Sequence, residues 1–91
     1  MAIMVTFTPT AMTPAQYDEV IRRLEAAGAE PPPGRLHHVA AANGSNVRVV
    51  DIWEPPQAFE AFGQTLMPIL QGAGVTLPPP EIAPVHRMAE R

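Results

Sequence analysis

Four short runs of β-branched and apolar residues predict four strands. They cover residues 2–8, 35–42, 47–54 and 82–88. An Asn-Gly pair between the second and third runs predicts a hairpin turn. The first and third runs carry apolar residues at both odd and even positions, so both faces of these strands are at least partly apolar. That pattern is typical of strands that are buried on two sides.

The first helix is predicted by the clearest local signal in the chain, the segment Thr-Pro-Ala-Gln at 13–16. Thr13 can accept a hydrogen bond from a free backbone N–H, while the Gln16 side chain can reach back to the cap, which together form a capping box. Proline suits the first helical position. Apolar residues then recur at helical spacing, at Tyr17, Val20, Ile21 and Leu24. We predict a helix over 14–27, ended by Gly28.

A second helical run begins near Pro55 and has a buried side formed by Phe59, Phe62, Leu66, Ile69 and Leu70. Pro68 interrupts it and should kink the helix or separate its last turn. The element order is therefore β-α-β-β-α-β. It predicts an α+β fold of the ferredoxin-like type over residues 1–91, in which a four-stranded antiparallel sheet carries both helices on one face.

The opposite face of this predicted sheet has no helix to cover it, although its strands look apolar on both sides. Ninety-one residues give a thin stability margin, and the sequence has no cysteine from which a disulfide could form. Two copies paired through their open sheet faces would bury the exposed apolar surface. We therefore expect a homodimer.

Composition narrows the possible chemistry. The chain has no lysine and no cysteine, and its one serine, Ser45, lies in the predicted turn, so covalent catalysis is not expected. Acid–base chemistry by His, Asp, Glu, Tyr or Arg is what remains.

A net charge of −3 with six dispersed arginines argues against nucleic acid or a membrane surface as a partner. The absence of a signal peptide and of any long apolar run leads us to expect a cytoplasmic protein.

Two residues are candidates for catalysis. His38 lies in the second predicted strand next to His37, so the two should point to opposite sheet faces, and histidine is the side chain that most readily acts as a base near neutral pH. Asp51 is an acid in the middle of an otherwise apolar strand. A buried carboxylate needs a partner, which here could be a histidine that it orients, an arginine such as Arg35 or Arg48, or backbone donors.

Three further residues are candidates for substrate binding. Trp53 shares a strand face with Asp51 and could line an aromatic-binding pocket, or it could be core. His86 lies in the last predicted strand and could face the same cavity from the other side. Tyr17, on the apolar face of the first helix, could place its hydroxyl at the rim. The spacing of the histidines and acids matches no metal-ligand pattern, so we expect no metal.

Four segments resemble a known group of proteins: Pro-Gly-Arg-Leu-His-His at 33–38, Val-Val-Asp-Ile-Trp-Glu at 49–54, Phe-Glu-Ala-Phe at 59–62 and Pro-Val-His at 84–86. They are similar to small members of the dimeric α/β-barrel superfamily, which contains the antibiotic-biosynthesis monooxygenase-like (ABM-like) proteins. The resemblance implies a homodimer with a ligand cavity between sheet and helices. It also implies oxidation of aromatic, polyketide-like substrates without a metal or flavin, so we expect no cofactor.

His38 matches the pattern of this family, which implies a general base, whereas an orienting role of Asp51 follows from the residues alone. Two other functions stay open: a non-catalytic dimer that binds a ligand or has a structural role, and an isomerase or cyclase that uses the same residues without oxygen. Haem degradation, another activity of the superfamily, is disfavoured because neither predicted helix contains a histidine to serve as axial ligand.

Overall fold

Strands and helices follow one another in the predicted order β-α-β-β-α-β. The computed structural model describes residues 1–89. The elements are β1 (Ile3–Phe7), α1 (Pro14–Ala26), β2 (Arg35–Asn43), β3 (Asn46–Trp53), α2 (Pro56–Gly72) and β4 (Glu81–Pro84). No helix within residues 1–89 is long and apolar enough to cross a membrane.

The four strands form one antiparallel sheet in the order β2-β3-β1-β4. The two strands whose faces are both partly apolar in the sequence, β1 and β3, occupy the centre. β2 and β3 are joined by the predicted tight turn, where Gly44 adopts a φ of 66° that a side chain would disfavour. The arrangement confirms the predicted ferredoxin-like α+β fold.

Helix α1 begins as the sequence predicts. The Gln16 N–H donates to Thr13 Oγ1 over 3.2 Å, and the Thr13 N–H donates to Gln16 Oε1 over 3.0 Å, so both bonds of the capping box are made. The helix ends at Ala26, one residue before the predicted end, and Gly28 follows with a φ of 71°. Val20 and Leu24 are buried and fix this face of the helix on the sheet.

One of the two outcomes predicted for Pro68 and the predicted end of the last strand need correction. Pro68 does not separate the last turn of α2, which runs unbroken to Gly72. Proline removes only one backbone hydrogen bond, and because Pro68 is exposed, the carbonyl that loses this bond can turn to water. The last strand ends at Pro84 rather than at residue 88. Its partner β1 starts at Ile3, which pairs with Pro84, so few residues remain for the chain beyond Pro84 to pair with.

The core lies between the sheet and the two helices. Trp53, Leu24 and Val5 are its largest fully buried side chains. The other sheet face carries no helix, and large apolar side chains on it remain accessible. Met4 is 37 % exposed and Val39 is 59 % exposed. The apolar outer face that the sequence predicts is therefore present.

Candidate active site

A β-bulge at the start of β2 decides which side chains face the core. Arg35 pairs with Trp53, and His38 pairs with Asp51, so three steps along β2 lie opposite two steps along β3. Trp53 and Asp51 are two residues apart and share the inner face. The extra residue therefore turns both Arg35 and His38 to that same inner face, whereas regular alternation would place them on opposite faces.

Three side chains on this face and one from helix α1 form a continuous hydrogen-bond chain. Tyr17 Oη lies 2.6 Å from His38 Nε2, and His38 Nδ1 lies 2.5 Å from Asp51 Oδ1. On the other side of the carboxylate, Trp53 Nε1–H donates to Asp51 Oδ2 over 3.3 Å. Helix α1 thus supplies the phenol, β2 the imidazole, and β3 the carboxylate and the indole. We refer to Tyr17, His38, Asp51 and Trp53 as the hydrogen-bond chain.

The carboxylate sets the direction of this chain. Asp51 is 3 % exposed, and an ionised carboxylate can only accept hydrogen bonds. When the His38 ring is neutral, Nδ1 therefore donates, and Nε2 keeps a free lone pair. The Tyr17 hydroxyl donates to that lone pair. Asp51 consequently holds the imidazole in the tautomer whose basic nitrogen points towards Tyr17, as the acid does in a catalytic triad.

The hydrogen-bond chain borders a small cavity between the sheet and the helices. Its volume is about 50 Å³, room for a few water molecules. Four polar side chains contribute to its wall, and the rest of the wall is apolar. The lining residues are Phe7, Met12, Tyr17, Val20, Ile21, Leu24, Arg35, His38, Val49, Asp51, Phe62, Leu66, Leu70 and Leu77. An imidazole base on the wall of a largely apolar cavity suits proton abstraction from a neutral organic molecule.

A nearly buried ion pair closes one side of the cavity. Arg35 Nη1 donates to Glu30 Oε2 over 3.0 Å, and Arg35 Nη2 donates to Glu30 Oε1. This fork holds the guanidinium on Glu30, so Asp51 takes a histidine as its partner rather than Arg35. Gly34, which precedes β2, allows the chain to pack closely against the start of α2. Its φ is 88°, and a Cβ at this position would collide with Ala58 at the start of α2.

The surroundings of Tyr17 keep its hydroxyl protonated. Burial raises the pKa of Tyr17 above its usual value, and the negative charges of Glu30 and Asp51 raise it further, while Arg35 opposes them. Tyrosine is uncharged when protonated, so a raised folded-state pKa stabilises the fold fully below the unfolded pKa. That stabilisation is lost as the pH rises through the folded-state pKa. At neutral pH Tyr17 is therefore a hydrogen-bond donor.

Tyr17 is the chain's one tyrosine, so its ionisation can be followed directly. We expect the tyrosinate absorbance of the folded protein to rise with a midpoint above that of a blocked tyrosine amide. Glu30→Gln should lower the midpoint, because it removes a negative charge and leaves Arg35 unpaired beside the phenol. An ultraviolet titration measures both shifts. A midpoint at or below that of the tyrosine amide would contradict this description of the site.

The structure brings together three of the five candidate residues around the cavity, namely Tyr17, His38 and Asp51. Trp53 is fully buried, packs against the rings of Phe59 and Phe62, and reaches the cavity only through its bond to Asp51. His86 is exposed beyond the end of β4 and takes no part in the cavity wall. His37 is also exposed and points to the outer face, as predicted from its position beside His38.

Glu30 was not predicted as a site residue, and Arg35 was predicted only as a possible partner of Asp51. Each is an ordinary charged residue flanking the proline-rich connector, and the fork between them depends on how that connector folds back. Within residues 1–89, no group of three histidines and acids is arranged to hold a metal ion.

Solved structures of other proteins share the fold of this chain. SnoaB, a cofactor-independent oxygenase from Streptomyces nogalater, superposes with a TM-score of 0.63 at 18% identity, over 99% of this chain and 96% of that chain. The monooxygenase from the gene ActVA-Orf6 of Streptomyces coelicolor, solved in complex with nanaomycin D, gives a TM-score of 0.54 at 18% identity, over 99% and 92%.

A Chloroflexus aurantiacus protein, provisionally described as an antibiotic biosynthesis monooxygenase, gives a TM-score of 0.57 at 18% identity, over 97% of this chain and 95% of that chain. The chain has the antibiotic-biosynthesis monooxygenase-like fold. This monooxygenase-like fold is the one that the sequence resemblance implies. No protein-family model matches the sequence, and no curated protein matches it. The likeness is therefore one of structure.

Proposed function

We propose that this protein is a cofactor-independent oxygenase that acts on an enolisable aromatic, polyketide-like substrate. The observation that carries the proposal is the hydrogen-bond chain, which places a tautomerically fixed imidazole on the wall of an apolar cavity. The shared fold supports it, because SnoaB is a cofactor-independent oxygenase and the Streptomyces coelicolor monooxygenase binds nanaomycin D.

The first step is proton abstraction. The substrate carries a CH₂ group conjugated with an aromatic ketone, and its carbonyl oxygen takes the hydrogen bond of the Tyr17 hydroxyl. Because Tyr17 then donates to the substrate and no longer to His38, His38 Nε2 is free and accepts a proton from the CH₂ group. Asp51 stabilises the imidazolium that results. Tyr17 retains its own proton and stabilises the enolate oxygen, in keeping with its raised pKa.

The second step uses dioxygen as the oxidant. The enolate carbon transfers electrons to O₂ and forms a C–O bond, and the resulting peroxide anion takes back the proton held by His38. The hydroperoxide then loses water as its O–O bond and the remaining C–H bond break. The net reaction is CH₂ + O₂ → C=O + H₂O. The carbon loses four electrons, and the two oxygen atoms gain four.

Anthrone, a three-ring ketone with one activated CH₂ group, is a suitable test substrate. We expect the protein to consume one O₂ per anthrone and to place one atom of ¹⁸O₂ in the product. His38→Gln should lower the turnover rate by about a hundredfold to ten thousandfold, since it removes the base. Oxygen uptake and product mass measure these effects. The matched control is His37→Gln, which changes the neighbouring histidine on the outer face.

The other outcomes separate the alternatives. Full activity in both His38→Gln and Asp51→Asn would refute the mechanism. Isomerised or cyclised product without oxygen uptake would indicate an isomerase or cyclase that uses the same base. Ligand that binds tightly and is recovered unchanged would indicate a non-catalytic binding protein.

We also propose that the protein works as a homodimer joined through the outer sheet face. This face carries Met4, Val39, Val50 and Ile52, which are exposed or only partly buried in the single chain. Burying such a patch against a second copy removes apolar surface from water. It also leaves the opposite face, with its helices and the cavity, free to bind substrate.

A further inference from the structure

The cavity beside the hydrogen-bond chain is too small for the substrate proposed above. Its volume of about 50 Å³ admits water, whereas sites for organic ligands of several rings measure about 300 to 1,000 Å³. One ring of the substrate can reach His38 only if its other rings lie outside this cavity. A second volume next to the cavity is therefore required.

Such a volume lies on the other side of the cavity wall, between the middle of α2 and strand β4. We call it the α2–β4 groove. Its volume is about 480 Å³, and the residues that form its floor and sides include Phe59, Leu66, Met67, Leu77 and Ile82. Phe7, Leu66 and Leu77 also line the cavity. A single layer of side chains thus separates the groove from the space beside His38.

The chemistry of the groove selects the class of ligand. Every side chain that lines it is apolar, and the proline-rich segment 78–80 forms one wall. Met67 and Ile82 are each 52 % exposed, which leaves apolar surface of this groove accessible to water. With no charge or hydroxyl to satisfy a polar group, the groove suits flat, neutral rings and disfavours an anion.

A second groove of similar size suits this role less well. It lies near Gly34 at the start of α2 and has a volume of about 540 Å³. It shares only Phe62 with the cavity wall, and its lining residues include the charged Glu54. Both continuity with the cavity and apolar character therefore favour the α2–β4 groove.

We propose that the α2–β4 groove binds the apolar rings of the substrate, while the reactive ring passes between Leu66 and Leu77 to reach His38. The inference rests on the proposed oxygenase function and adds to it the place where the apolar rings of the substrate lie. Leu66 and Leu77 line both volumes, so displacement of their side chains would join the groove to the cavity and make room for a ligand of several rings.

The test uses 1-aminoanthracene, a neutral three-ring dye that becomes fluorescent in apolar surroundings. The unmodified protein should bind one dye per chain, with quenching of emission from Trp53, the chain's one tryptophan. Met67→Glu should weaken binding by about tenfold or more, because it places a carboxylate against the rings. Ala61→Glu is the matched control. It adds the same charge to an exposed position of α2 that lines the second groove, and it should change binding less than twofold.

The same dye distinguishes a failure of this inference from a failure of the proposed function. His38→Gln should bind the dye as the unmodified protein does, whether or not anthrone is turned over. No binding by the unmodified protein, equal binding by Met67→Glu and Ala61→Glu, or a site that exists only between two copies would overturn the inference. Circular dichroism checks that each variant is folded.

Discussion

Asp51→Asn is expected to fold and to oxidise anthrone about a thousandfold to ten thousandfold more slowly than the unmodified protein. The Asp51 carboxylate accepts hydrogen bonds from both His38 Nδ1 and Trp53 Nε1. An asparagine can still accept from the indole, but it then presents its NH₂ group to His38. The imidazole must place its proton on Nε2 to accept that bond, and the nitrogen that serves as the base is lost.

Nuclear magnetic resonance can detect this change of tautomer independently of activity. In ¹⁵N-labelled protein, two-bond ¹H–¹⁵N correlations should show His38 protonated at Nδ1 before the substitution and at Nε2 after it. Asp18→Asn, which neutralises an exposed acid on α1, is the matched control and should alter neither tautomer nor turnover. A large loss of activity with the original tautomer retained would mean that Asp51 acts in another way.

Val39→Arg is expected to break the proposed dimer. Val39 is 59 % exposed on the outer sheet face, and two copies placed face to face would each bring an arginine into apolar surroundings. Burying unpaired charges of like sign should raise the dimer dissociation constant by about a hundredfold or more. Sedimentation velocity over a range of concentrations measures this constant. Ala61→Arg adds the same charge on α2 and should leave the dimer intact.

A monomeric unmodified protein would contradict the dimer proposal outright. So would a dimer that Val39→Arg leaves unchanged, because the interface would then have to lie elsewhere. Dye binding to the α2–β4 groove should persist in the Val39→Arg monomer, since groove and outer sheet face lie on different sides of the chain.

Local signals in the sequence were sufficient to predict the elements of the fold. The capping box of Thr13 and Gln16 fixes the start of α1, and the turn at Gly44 joins β2 to β3. Each of these features depends on residues within a few positions of one another. The end of β4 could not be predicted in this way, because it depends on where its partner β1 begins.

The site was predictable only as a set of residue types. Tyr17, His38 and Asp51 stand out as polar side chains on apolar elements, and that is why they could be named. Their assembly depends on the bulge that turns Arg35 and His38 to the same side, and no residue in the sequence marks it. His86 was misplaced in the sheet for a related reason, since the register of β4 against β1 carries it past the last paired residue.

The bulge has a further consequence at the rim of the sheet. β2 is an edge strand, and the backbone donors and acceptors on its unpaired side could form hydrogen bonds with a strand of another protein molecule. The extra residue between Arg35 and His37 breaks the even spacing of that row and increases its twist. An uninterrupted β2 would offer a longer template for edge-to-edge growth. The irregularity that aligns the imidazole with its carboxylate therefore also shortens the regular edge with which another strand could pair.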